Sequence, residues 1–215
     1  MAQIFPRQIN YLPVVLALVG VLGPAVAVAG VWYYFSPEFT DVGYAPEQPV
    51  PYSHQQHAGE LQIDCRYCHA SVETSAVANV PPTQVCMNCH QAVKRDSELL
   101  APILESMSSG APMRWVRVHD LPDYAYFNHS AHLTAGVGCA SCHGAIHEMD
   151  VVMQVEPLSM SWCLDCHRNP DSHLRPLDQL TNMNWTPSTD QPLLAAGYRE
   201  ERRIAPPVDC SGCHR

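Results

Sequence analysis

The sequence predicts a loop-rich fold of short α-helices with little β-structure, carried behind a single N-terminal transmembrane helix. Three observations predict it. All ten cysteines fall in five Cys-x-x-Cys-His units. An uncharged apolar run covers residues 11–35. The remainder carries most of the 19 prolines, short apolar runs and few long periodic ones, so it lacks the side chains of an ordinary core.

The apolar run comes first. From Tyr11 to Phe35 there is no Asp, Glu, Lys or Arg, and at ~1.5 Å per helical residue such a stretch crosses the ~30 Å hydrocarbon layer. Gly20, Gly23 and Pro24 inside it are tolerated better in lipid than in water. A cleaved signal peptide is the competing reading, with Ala25-Val26-Ala27 or Ala27-Val28-Ala29 as the small-residue site. Trp32, Tyr33, Tyr34 and Phe35 extend the run into an interfacial aromatic belt, which favours a retained anchor. Arg7 precedes the run, Glu38, Asp41 and Glu47 follow it, and the next cation is Arg66. The positive-inside rule therefore puts the long C-terminal part on the periplasmic, extracytoplasmic side of a cell membrane crossed once.

The cysteine units carry the chemistry. They are Cys65, Cys68 and His69; Cys86, Cys89 and His90; Cys139, Cys142 and His143; Cys163, Cys166 and His167; and Cys210, Cys213 and His214, numbered 1 to 5 below. Residues three apart share a helix face, so two thiols at this spacing reach the vinyl groups along one porphyrin edge, and the following histidine approaches the iron. Zinc ribbons need paired Cys-x-x-Cys units, and an odd number would leave one without a partner. Thiol exchange wants a thioredoxin-like βαβ setting, which the pattern lacks. The expected cofactors are five haem c groups, with the ten cysteines as thioether anchors and His69, His90, His143, His167 and His214 as proximal iron ligands.

Seven histidines remain. His54, His57, His119, His129 and His132 are the expected distal ligands, with His173, His147, Met160 and Met149 as alternatives. Two His-x-x-His pairs recur in similar surroundings: Tyr52-Ser53-His54-Gln55-Gln56-His57 before unit 1, and Phe127-Asn128-His129-Ser130-Ala131-His132 before unit 3. Histidines one turn apart point the same way at different heights, so each pair can serve two neighbouring haems. A second strong ligand on each iron suits electron transfer and closes the site to small substrates.

The expected organisation is a segment 1–36 with the anchor, a proline-rich linker 37–53, a module 54–112 for haems 1 and 2, and a module 113–215 for haems 3 to 5. The second module includes a long C-terminal stretch expected to contact partner subunits, with a short helix near 193–203. Another helix is expected over 96–107, ended by Gly110. A net charge of −9 with one lysine, Lys94, excludes nucleic acid as a partner. No catalytic residue is assigned, because iron rather than side-chain acid or base is expected to do the work.

The modules resemble the small class III multihaem cytochromes of the c3 and c7 type. The wider pattern resembles the pentahaem subunit of alternative complex III: an anchor, five haem units, the run Trp115-Val116-Arg117-Val118-His119-Asp120-Leu121-Pro122 leading to Phe127-Asn128-His129, and Leu158-Ser159-Met160-Ser161-Trp162-Cys163. That resemblance implies a respiratory-chain relay in a quinol:electron acceptor oxidoreductase, mostly with bis-histidine ligation. Its implied partners are an iron–sulfur subunit, quinol-binding integral membrane subunits, and a monohaem cytochrome or soluble acceptor. A stand-alone anchored quinol dehydrogenase feeding a periplasmic reductase is the alternative. A nitrite- or hydroxylamine-converting enzyme would need a vacant iron site, which surplus histidines disfavour.

Overall fold

The computed structural model describes residues 4–214. They fall into two compact units, one up to Asp41 and one from Val42 onward. The first holds α1, Leu12–Tyr34, entered through a 3-10 turn Arg7–Tyr11, and the short α2, Pro37–Thr40. The span Arg7–Tyr34 holds an 18-residue stretch of mean hydropathy 2.5, none of it buried, which by length and composition is enough to cross a membrane. Tyr33 and Tyr34 pack edge-on at 5.5 Å, and Phe39 lies 4.8 Å from Tyr34, so the aromatic belt is a small cluster. Pro24 sits inside the helix.

The second unit is built from short helices: α3 Cys65–Cys68, α4 Thr83–His90, α5 Ala101–Ser109, α6 His129–Ala135, α7 Ala140–His143, α8 Met160–Arg168, α9 Gln191–Glu201 and α10 Cys210–Cys213. Among the described residues there are only two isolated β-bridges, Ala125 with His214 and Val137 with Leu174. Several helices start on a side chain that satisfies an otherwise unpaired N–H. Asp64 accepts from the Arg66 amide, Asn128 from Ala131, Ser159 from Trp162 and Asp209 from Gly212. Gly136 ends α6 at φ +97°, where a side chain would also collide with the Arg175 carbonyl and the Arg202 guanidinium.

Apolar cores are correspondingly small. Val50, Leu100 and Ile103 form one, with Met87, Met113 and Trp115 against it. The α5 helix starts later than periodicity suggests: a 3-10 turn covers Glu98–Leu100, and Pro102 occupies the first α-helical turn. Val50 lies in the stretch read as a linker, and Gln48 there exchanges two 2.9 Å hydrogen bonds with the Val116 backbone. The long stretch between units 4 and 5 also folds back. Leu174 is completely buried, and Gln191 at the head of α9 donates to the Asp171 and Leu174 carbonyls at 2.6 and 2.7 Å. Arg175 is buried over Gly138, with its guanidinium 4.4 Å from the Trp185 ring.

Candidate haem sites

Each Cys-x-x-Cys-His unit occupies a single helical turn or the end of a longer helix, in α3, α4, α7, α8 and α10. None of the ten cysteines forms a disulfide. Backbone carbonyls hold four of the five unit histidines: His69 Nδ1 lies 2.6 Å from Asn79 O, His90 Nδ1 3.0 Å from Val93 O, His167 Nδ1 2.7 Å from Pro207 O, and His214 Nδ1 3.1 Å from Tyr124 O. A carbonyl only accepts, so Nδ1 carries the proton in each and Nε2 keeps its lone pair for a metal. Asn79 reaches His69 from a left-handed backbone, φ +63°, which asparagine tolerates.

Three of the other histidines are held in the same way. His57 Nδ1 is 2.8 Å from Ser53 O, His132 Nδ1 2.8 Å from Asn128 O, and His129 Nδ1 2.9 Å from Ala76 O. The partners Asn79, Val93, Pro207, Tyr124 and Ala76 carry no motif, and only the fold reveals them.

Ring spacings decide whether the histidines fit an iron. Two imidazoles each about 2 Å from one metal set their ring centroids roughly 6 Å apart. His57 stands 6.2 Å from His90, His132 6.0 Å from His167, and His129 6.5 Å from His143 with rings only 9° from parallel. Those residues fit a haem iron between them. His119 also meets His143, but at 4.4 Å and edge-on, too close for a metal between the rings. Burial first, then the charges of His69 and His57, lower the His54 pKa to about 4, and its buried Nδ1 is without a partner. Burial likewise lowers His143 to about 3, and its Nδ1 is also unpartnered.

The remaining candidates stand apart from these pairs. Beside His214 the structure places the Tyr124 ring, 5.9 Å away. His147 is 3.6 Å from the Glu148 carboxylate, and its carbonyl sits where a Cβ on Gly59 would be. His173 is half-buried, and burial and Arg175 lower its pKa. Met149 is buried and its carbonyl accepts from the Gln55 amide at 3.0 Å, whereas Met160 is 67% exposed.

The cysteines approach one another between units. The Cys65 and Cys139 thiols interact, which lowers the pKa of Cys65 and raises that of Cys139. Burial first, then Cys166 and Cys163, pushes Cys142 up to about 12. Cys68 feels Cys86, and Cys163 feels Cys213. A helical chain with thiol pairs on single turns and imidazoles at axial spacing is built to hold tetrapyrroles.

Residues 125–215 match the family model of cytochrome c7 and related cytochrome c. This region is a c7-type multihaem cytochrome c domain. It carries units 3, 4 and 5 together with the His129 and His132 turn. The chain is also similar to a menaquinone reductase, multiheme cytochrome c subunit, from Nitratidesulfovibrio vulgaris (strain Hildenborough), at 32% identity over 123 residues, 57% of this chain. That match spans 56% of the relative's length. The fold class is accordingly a c7-like multihaem cytochrome, helical and without named strands among the described residues. The family that residues 125–215 match is one of c-type haem proteins.

Proposed function

We propose that this chain is a five-haem relay subunit of a membrane quinone-linked oxidoreductase complex, anchored by α1 with its haem domain on the periplasmic side. One observation carries the reading: imidazoles of different units and turns face each other at 6.0, 6.2 and 6.5 Å, with Nδ1 committed to a carbonyl in five of those six rings. When bound, haem c supplies the one-electron Fe(III)/Fe(II) couple. The chain's own residues do the rest. The ten cysteines fix the rings covalently, His69, His90, His143, His167 and His214 bind from the proximal side, and carbonyls orient the imidazoles. His57, His129 and His132 are distal ligands for units 2, 3 and 4 on ring spacing. His54 serves unit 1 by its place in the chain, being the other histidine of the turn whose His57 faces His90.

Closing both axial positions removes any vacant iron at those units, so the subunit relays electrons while quinone chemistry belongs to partner subunits. The motif pattern favours alternative complex III, with electrons leaving quinol through an iron–sulfur subunit towards a periplasmic acceptor. The menaquinone reductase relative favours a second reading, in which the same relay carries electrons towards a quinone. Purification in mild detergent tests the subunit role. Co-purifying integral membrane and iron–sulfur subunits are expected, with haem reduction by quinol lost once they are stripped. A lone chain whose haems quinol reduces would instead be a stand-alone quinol dehydrogenase. Within the complex, added menaquinol that reduces the haems supports quinol oxidation, and haem oxidation by added menaquinone supports the reverse flow.

A further inference from the structure

We propose that the haem units lie in the spatial order 2, 1, 3, 4, 5, so that unit 1 is an interior stop and electrons are exchanged with partner redox centres at units 2 and 5. This rests on the five-haem reading above. The links between units are side-chain and backbone contacts, and together they join four pairs of units.

Units 2 and 1 meet through their variable residues: Asn88, between Cys86 and Cys89, donates to the Tyr67 hydroxyl, between Cys65 and Cys68, at 3.0 Å. The 54–57 turn that precedes unit 1 in the chain reaches unit 2, with His57 facing His90. Units 1 and 3 are joined by two consecutive residues. Thr181 donates to the Asp64 carboxylate at 2.9 Å, and the Leu180 carbonyl accepts from the Cys139 amide at 3.1 Å. Ala76, in the loop after unit 1, accepts from both the amide and Nδ1 of His129, whose ring faces His143. Units 3 and 4 share one turn, because His129 faces His143 and His132 faces His167. Units 4 and 5 meet at Pro207, whose carbonyl holds His167 and whose ring packs where a Cβ on Gly212 would be.

Electron transfer falls steeply with edge-to-edge distance, so nearest neighbours set the route. Each step moves one electron between adjacent units and breaks no bond; donor and acceptor are one-electron centres of partner subunits. Exposure agrees with the assignment of the ends. Cys89 and Cys210 are the exposed cysteines, one in unit 2 and one in unit 5, while the other eight are partly buried. Numerical order would place unit 2 between units 1 and 3, yet the contacts linking 1 and 3 bypass it.

The test is a redox titration of the holoprotein in its native complex, followed by paramagnetic resonance, with His90→Met and His69→Met. His90→Met raises the potential of unit 2 and is expected to displace the titration of one other unit, whereas His69→Met displaces two. A His90→Met variant that displaces two units, unit 3 among them, overturns the order. If a variant does not assemble, the iron positions in an experimental map of the unaltered holo-complex decide. Unit 2 at one end with unit 1 as its neighbour upholds the proposal, and unit 2 between units 1 and 3 overturns it. Protein mass on the same preparation counts the covalent haems, so a failure of the five-haem reading is seen separately from a failure of the order.

Discussion

The two aromatic-x-His-x-x-His turns share a sequence pattern but not a backbone. His129 and His132 lie on α6, an α-helix capped by Asn128 and closed by Gly136, whereas the turn after His54 is π-helical over Gln55–Glu60 with no side-chain cap. The side-chain arrangement survives this difference. Tyr52 stacks 4.4 Å from His57 and meets His54 edge-on at 4.9 Å; Phe127 lies 4.5 Å from His132 and meets His129 edge-on at 4.7 Å. In both turns the second histidine sits 2.8 Å from the carbonyl four residues earlier. The motif specifies the placement of two imidazoles around one aromatic ring, and the helix type follows from local capping. The first histidines differ: His129 is held by Ala76, while the buried Nδ1 of His54 has no partner.

The largest expected effect comes from the second histidines. His57→Ala and His132→Ala each convert one low-spin centre to high-spin, seen by paramagnetic resonance and near-infrared absorption of the oxidised protein. His119→Ala leaves the low-spin count unchanged, because its ring sits 4.4 Å from His143; loss of a low-spin centre there would transfer the unit 3 ligand role from His129 to His119. Removing the shared aromatic comes next. Tyr52→Ala and Phe127→Ala are each expected to destabilise the holoprotein by about 2 kcal/mol, both rings being half-buried, read from denaturant midpoints. Asn128→Ala removes the cap that the turn after His54 lacks and is expected to cost about 1 kcal/mol.

The smallest effect is on pH dependence. Hydrogen bonds from Arg66 hold the Asp64 carboxyl well below its ordinary value of 3.8. Its contribution is therefore complete above that value and lost as pH falls below it. Asp64→Asn is expected to flatten the acid limb of the stability profile, and an unchanged limb would remove Asp64 as its source.

Legibility in the sequence follows from chemistry. Covalent attachment needs the Cys-x-x-Cys-His spacing, so such units are readable wherever they fall, and a helix able to cross a membrane must be long and uncharged, so the apolar helix within 11–35 is readable too. Pairings are not, because they depend on loops: the segment 70–82 brings Ala76 to His129, and the turn at 180–181 ties Asp64 to Cys139. His119 shows the limit of reasoning by position. Its place between units 2 and 3 suggests a distal ligand, yet its ring contacts His143 directly. The stretch 37–53 reads as a linker from its prolines, but Gln48 and Val50 tie it to Val116 and to the Leu100 and Ile103 core through groups no periodicity reveals.

Intact-protein mass spectrometry of the denatured, membrane-extracted chain addresses the central claim most directly. The account predicts a single species heavier than the polypeptide by five haem groups, one for each Cys-x-x-Cys-His unit. A mass corresponding to four or fewer, or to the bare polypeptide, would contradict it.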